Sequence, residues 1–380
     1  MELILKQYDI PLLRFSATND SSTPEIEVHW INEDQRHLLP LDMELSPEGI
    51  SRWMRRRTIP RNRAYVNRLL AKCGLNANRP MGILALCKGL SVDDSYWVVE
   101  EGFEGTFEKY NLFENRFSEV LAFIAFTGYG SSNRSSLASS PEFTTNGMLP
   151  KCWRRINGKV TLYKGGTDGG YNTGAEPYCE YYAAQVAASM GIDAIPYGLS
   201  QWKGRLCSTC ELFTDIDHAY MPIGNLVQRG GFDAVAAYYE NLGEPFQKAF
   251  RDMLVFDAVI CNTDRHYGNF GFMIDNKTNT IAAPAPLFDH GNSLFNQAGP
   301  EDYESPEAFQ QYIDTLVPCV YDDFFATAKR FMADENREQL RKLLGFRFKR
   351  HVRYNLPPKR LKLMEEQVRK RAMRLLENKD

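Results

Sequence analysis

The chain's 380 residues exceed the usual single-domain size, so two or three packed units are expected, and length alone permits a sizeable core. A hydrophobic share of 43%, a charged share of 24% and a net charge of −3 are those of a globular protein and exclude one built wholly around nucleic-acid phosphates. No apolar run nears the roughly 20 residues of a membrane helix, Met1 to Gln7 carries no secretory apolar core, and the cysteines are mostly scattered, so a cytoplasmic chain with reduced thiols and no membrane span is expected.

From Met1 to about Leu38 the pattern is short and β-like, with Glu25 to Trp30 alternating polar and apolar as a half-buried strand does. Ser46-Pro47 then opens a helix, serine as cap and proline at the first position, with Ile50, Trp53 and Met54 at helical spacing. The basic cluster Arg55-Arg56-Arg57 with Arg61 and Arg63 reads as a solvated helix end in preference to a phosphate contact. Gly128 to Ser140 has linker composition, and its hydroxyl side chains make it a target for self-phosphorylation as well as a plain tether.

Two strand-like runs follow, Lys151 to Arg155 and Lys159 to Lys164, joined by the turn Ile156-Asn157-Gly158. After the glycine-rich stretch Gly165 to Gly174, Pro177 to Met190 has helical composition and stops at Gly191. Pro196 to Leu199 and Leu206 to Phe213 read as strands; the second holds Cys207 and Cys210, a lone C-x-x-C without a second pair at zinc spacing. Beyond Phe232 the chain reads as mainly helical, with Pro245 to Ile260 the clearest helix and a strand pair near Phe270 to Ile274 and Ile281 to Leu287. The last sixty residues read as basic helix, Arg347 to Arg353 included.

Phosphoryl transfer asks a protein mainly to position groups and to neutralise phosphate charge. A loop Asp aligns the acceptor hydroxyl, an Asn five positions on ligates Mg²⁺, and a second Asp beyond a short hairpin joins the metal site. Asp264 and Asn269 have that spacing, in a loop that a helix enters and a strand leaves, and Asp289 follows the returning strand. The turn Asp275 to Asn279 between those strands is expected to bring Asn269 and Asp289 together, although a self-capping turn also accounts for Asp264 and Asn269. His266 reads as a histidine that braces the loop.

Asn262 to Phe270 and Pro286 to Asp289 resemble the two signature segments of HipA-type serine/threonine kinases. Gly147-Met148-Leu149-Pro150-Lys151 resembles that family's phosphate loop, Lys164 its nucleotide lysine, Glu180-Tyr181-Tyr182 the start of its regulatory helix and Cys210-Glu211-Leu212-Phe213 its hinge. The likeness covers roughly residues 140 to 320. It implies an α+β, bilobed protein-kinase-like fold: an N-terminal α/β domain (residues 1–126), a small β-rich lobe (127–215) and a helical lobe (216–380).

The resemblance further implies ATP and Mg²⁺ as cofactors. Asp264 would be the base, Asn269 and Asp289 the metal ligands, Gly147, Lys151 and Lys164 the phosphate cradle, Glu180 the partner of Lys164, and Glu211, Leu212 and Phe213 the adenine contacts. The acceptor it implies is a protein serine or threonine, the chain itself included, with a toxin role beside a helix-turn-helix antitoxin and no direct nucleic-acid binding. The first hundred residues show none of the family's pattern, and the phosphate loop lacks a clear serine where such kinases carry an inhibitory one, Thr144 or Thr145 being the nearest substitute. Asp264-Arg265-His266 also resembles the catalytic loop of phosphoinositide kinases, so a lipid or small-molecule kinase stays open, as does a non-catalytic binding protein.

Overall fold

The computed structural model describes residues 1–18, 24–130, 140–169 and 173–377. Most of the serine-rich stretch read as a linker and self-phosphorylation target lies outside the described residues. The chain divides into two compact units, the first made of Met1–Lys164, Glu211–Met221 and Met273–Ala282, the second of Gly165–Cys210, Pro222–Phe272 and Ala283–Asp380. The α+β class expected from the sequence is the class observed: antiparallel sheets with many helices. No described helix is long and apolar enough to cross a membrane.

In the first unit the strands β1 (Glu2–Gln7), β2 (Ile10–Ala17), β3 (Ile26–Ile31) and β4 (Tyr96–Glu100) form an antiparallel sheet in the order β3-β2-β1-β4. Because strand side chains alternate faces, β4 serves two cores. Tyr96 and Val98 join Leu3, Leu5, Phe15 and Trp53 on one side, while Trp97 and Val99 join Phe107, Trp153 and Val160 on the other. The helix Pro47–Arg56 closes the first core and is capped as its sequence predicts, the Ser46 hydroxyl accepting from the Gly49 N–H.

A tight hairpin of β5 (Lys151–Ile156) and β6 (Lys159–Gly165) follows. Asn157 (φ 51°) and Gly158 (φ 83°) both sit in the left-handed region that a two-residue hairpin turn requires. The turn from Asp275 to Asn279 docks on this same unit: the Gln7 amide donates to the Asn276 carbonyl at 2.7 Å, and the Asn279 amide donates to the His37 and Leu39 carbonyls at 2.8 and 2.7 Å.

The second unit holds the helix Glu176–Met190, ended by Gly191 at φ 79°, and the hairpin of β7 (Gly198–Trp202) and β8 (Arg205–Glu211). Its centre is the helix Phe246–Ile260, buried without interruption from Asp252 to Ile260. Gly231–Leu242, Phe324–Phe331, Asp334–Arg341 and Pro358–Leu376 pack against it. Strands β9 (His218–Pro222), β10 (Gly271–Asp275) and β11 (Thr280–Pro284), most of whose residues belong to the first unit, make a third sheet in the order β11-β10-β9.

Two readings are corrected. The segment from Arg347 to Arg353 is not helical: Phe346 and Phe348 are buried while Arg347 and Lys349 are exposed, the period-2 alternation of an extended chain. The basic cluster is only in part a solvated helix end: Arg55 and Arg61 are exposed, but Arg57 and Arg63 are buried. Arg57 forks onto Asp94 with two bonds of 2.7 Å and donates to the Gly89 and Tyr96 carbonyls. Burial alone would lower its pKa, yet Asp94 raises it. Arg63 pairs with Glu142 at 2.5 Å, both side chains fully buried, and donates to the Lys151 carbonyl at 2.9 Å. Both carboxylate partners lie tens of residues away, where local charge patterning carries no trace of them.

Arg63→Met leaves Glu142 buried without its cation and is expected to cost about 3–5 kcal/mol. Adding Glu142→Gln, which removes the orphaned charge while keeping an acceptor for the Trp153 N–H, should recover part of that loss; urea unfolding midpoints of the three proteins check it.

Candidate active site

In the second unit the central helix ends at Ile260, and Cys261 in the left-handed conformation (φ 53°) turns the chain into the loop from Asn262 to Asn269. The Asn262 side chain accepts from the Asp264 N–H and donates to Asp257. The Asn269 side-chain amide donates to the Asp264 carbonyl at 3.3 Å, and the His266 ring accepts from the Gly268 N–H at 3.0 Å. The loop is therefore self-capped, with His266 bracing it. Because Asn269 uses its N–H₂ on the loop, the opposite end of that amide is its oxygen, the donor type a hard cation takes.

The Asp264 carboxylate is partly exposed and is held from outside the loop: the Asn292 amide donates to its Oδ2 at 2.8 Å. Asn292 is itself fixed. Its carbonyl accepts from both the N–H and the hydroxyl of Thr263, and its side-chain oxygen accepts from Asn296.

Arg265 joins this loop to the Asp289 segment. Its guanidinium is 1% exposed and forks onto Asp257 at 2.9 and 3.0 Å. It also donates to the Asn269 carbonyl at 3.2 Å, the Phe288 carbonyl at 2.6 Å and His290 Nδ1 at 3.0 Å. A guanidinium only donates, so His290 Nδ1 accepts and a neutral His290 carries its proton on Nε2. Burial works against the Arg265 charge, but Asp257 raises its pKa above the usual arginine value. One cation thus binds the residues expected to carry Asn269 and Asp289 into one place.

Asp289 has φ 54°, and its N–H donates to the Tyr197 hydroxyl at 3.0 Å. Tyr197 reaches it because the chain leaving the Glu176–Met190 helix runs parallel to the segment before Phe288, Ile195 N–H donating to the Leu287 carbonyl. Burial, and then the nearby charge of Glu180, pushes the Tyr197 phenol well above its ordinary pKa. Glu180 is fully buried and accepts from the Ser208 hydroxyl. A Cβ placed on Gly291 would lie 3.5 Å from Glu180 Oε1, so this helix's first turns cover the residues just after Asp289. Glu180, Asp264, Asn269 and Asp289 belong to one unit.

The other expected site residues lie in the first unit. Gly147 has φ 90°, and a Cβ there would come within 2.2 Å of Lys151 Nζ, so only glycine lets the ammonium lie against the loop. Lys151 Nζ donates to the Asn146 carbonyl at 2.8 Å. Lys151 and Lys164 are direct partners across the β5–β6 hairpin, both buried, which sets two ammonium stems side by side on one sheet face. Thr144 is 4% exposed and its hydroxyl donates to the Leu90 carbonyl. The Glu211 carboxylate pairs with Lys159 at 2.8 Å, the Leu212 N–H donates to the Val160 carbonyl, and Phe213 stacks edge-on with Tyr220.

Sequence reasoning passed over Asp257, Asn292 and Tyr197 and gave Arg265 no role of its own. Only Arg265 and Asn292 left a signal, one inside the Asp-x-x-x-x-Asn loop and the other three residues after Asp289. Arg265→Met strands the Asp257 carboxylate at zero exposure and is expected to destabilise the second unit by about 3–5 kcal/mol. Urea unfolding checks this, with Asp257→Asn/Arg265→Met less affected than Arg265→Met alone.

No protein-family model matches the chain. Among curated proteins it is 27% identical over 135 residues to the serine/threonine-protein kinase CtkA of Helicobacter pylori, a match that spans 32% of this chain and 41% of that kinase. The solved CtkA structure aligns over 61% of this chain and 90% of that one, at a TM-score of 0.48 and 16% identity. The solved HipA of Shewanella oneidensis, in a toxin–antitoxin complex with HipB and operator DNA, aligns over 98% of this chain and 97% of that one, at a TM-score of 0.53 and 13% identity. In fold the chain therefore resembles HipA over nearly its whole length, and in sequence it resembles a serine/threonine kinase over about a third of it.

Proposed function

We propose that the chain is a serine/threonine protein kinase of the HipA type that uses Mg²⁺-ATP. The observation that carries this reading is the Arg265 fork, which ties the Asp264–Asn269 loop to the Asp289 segment. When bound, Mg²⁺-ATP supplies the γ-phosphoryl group and the metal charge that offsets the phosphates. The donor set fits it: the Asn269 amide oxygen and the Asp289 carboxylate are hard oxygens suited to Mg²⁺, and Gly147 leaves a side-chain-free loop beside a lysine.

In this reading Asp264 accepts the proton of the acceptor hydroxyl. Asn292, bonded to one of its oxygens, fixes the rotamer and leaves the other oxygen to face that hydroxyl. Lys151 and Lys164 supply the positive charge for the phosphates. The Leu212 N–H is committed to Val160, and the hinge from Glu211 to Phe213 would contact adenine. A toxin role beside an antitoxin partner, supported by the HipB complex of the HipA neighbour, belongs to the same proposal.

Incubation with radiolabelled ATP and Mg²⁺, with the chain alone and with lysate as acceptor, tests the reading. Asp264→Asn and Asp289→Ala are each expected to lower incorporation by about a hundred-fold or more; equal incorporation by all three proteins would falsify it. Asn292→Ala should lower kcat by roughly ten-fold with KM for ATP little changed, because it loosens Asp264 without touching a nucleotide-binding group. Steady-state kinetics of that variant, alongside its unfolding midpoint, separates misplacement from misfolding.

A further inference from the structure

Between Arg341 and Met364 the sequence carries nine lysines and arginines and no aspartate or glutamate, in a chain whose net charge is −3. The irregular stretch from Arg347 to Asn355 at the middle of this run is held in one conformation by its own polar groups. His351 Nδ1 accepts from the N–H groups of Arg353 and Tyr354, and its ring stacks on Tyr354 at 5.3 Å. The Asn355 side chain accepts from the His351 N–H at 2.9 Å and donates to the His351 carbonyl at 2.6 Å. The stretch is a fixed platform despite having no helix or strand.

What the platform presents is exposed and cationic. Arg347, Lys349 and Arg353 are exposed, and none of the three has an ion-pair partner among the described residues; Arg350 alone pairs, with Glu365 at 3.2 Å. Val352 is 91% exposed and lies in sequence between Arg350 and Arg353. Like charges held close in one conformation repel one another, and an opposite charge relieves that cost. An exposed apolar side chain flanked by cations is the pattern of a protein-docking surface, with an anchor to fill a pocket and a charged rim to steer. A nucleic-acid backbone would meet the cations and leave the valine without a partner.

The platform is also built on the helix that carries Glu180. The Gln185 side chain accepts from the Lys349 N–H at 2.8 Å and donates to the Lys349 carbonyl at 3.2 Å. The Tyr182 hydroxyl donates to the Asn355 side chain at 2.8 Å, its ring packs on Phe348, and Tyr181 meets His351 edge-on. From the Arg347–Asn355 platform we infer a docking site for an acidic segment of a partner protein, whose occupancy stiffens the Glu180 helix. The regulatory half rests on the kinase reading, in which the Glu180 helix covers the residues just after Asp289; the docking half does not.

The test uses the full chain and a fluorescein-labelled peptide of eight glutamates around a central leucine. Lys349→Glu/Arg353→Glu removes only exposed side chains, since the Lys349 contacts to Gln185 are backbone ones. Anisotropy is expected to show the double variant binding at least ten-fold more weakly than wild type, with the wild-type affinity falling as salt rises. Val352→Ser should weaken binding several-fold at unchanged net charge. Bound peptide should slow amide hydrogen exchange across residues 176–190 in the wild type but not in Gln185→Ala.

Equal peptide binding by wild type and the double variant overturns the proposal, as does a duplex DNA of matched charge that binds through the same residues more tightly than the peptide. Unchanged exchange in residues 176–190 with peptide bound overturns the regulatory half. Binding and exchange are read without ATP, so a chain that docks the peptide but transfers no phosphoryl group counts against the kinase reading alone, and one that transfers it but docks nothing counts against this one.

Discussion

The proposed catalytic loop and the Asp289 segment depend on a buried guanidinium. Arg265 bonds to a carboxylate on the central helix, to a carbonyl at the end of the Asp264–Asn269 loop, and to a carbonyl and a ring nitrogen flanking Asp289. A buried ion pair of this kind adds little net stability when compared with apolar packing. What it supplies is position. A planar fork with five fixed donors cannot satisfy Asp257, Asn269, Phe288 and His290 unless those backbones stand where they do. Lysine, a point charge with three rotatable donors, would leave several of those acceptors unmet.

The same principle recurs in the first unit, where Arg63 ties Glu142 and the Lys151 carbonyl together behind the Gly147 loop. Each candidate ligand-facing segment is thus irregular backbone pinned from behind by a buried arginine. That arrangement lets Asp264, Asp289 and the Gly147 loop keep conformations that local propensity does not enforce; Asp289 at φ 54° is one such case. Asn292 and Tyr197 extend the support to the Asp264 carboxylate and the Asp289 backbone.

Much of this was legible in the sequence because it was local. The Ser46 cap, the Asn157-Gly158 turn, the stop at Gly191 and the helix that ends before Cys261 all follow from residues within a turn of one another. The loop spacing of Asp264 and Asn269 was readable for the same reason. What stayed hidden was long-range: the partners of Arg57 and Arg63 and the bond from Asn292 to Asp264, 28 residues apart. The stretch from Arg347 to Arg353 failed differently. Its charge suggested a solvated helix, whereas Phe346 and Phe348 anchor it in extended form and its amides bond to Gln185 and Glu365.

The most direct test of the account is a crystal structure grown with Mn²⁺ and a non-hydrolysable ATP analogue, read by the manganese anomalous signal. The account predicts a manganese peak within coordination distance of the Asn269 side-chain oxygen and the Asp289 carboxylate, with Arg265 still forked on Asp257. Nucleotide bound with its metal away from both residues, or a metal on the Asp264–Asn269 loop without Asp289, would contradict it.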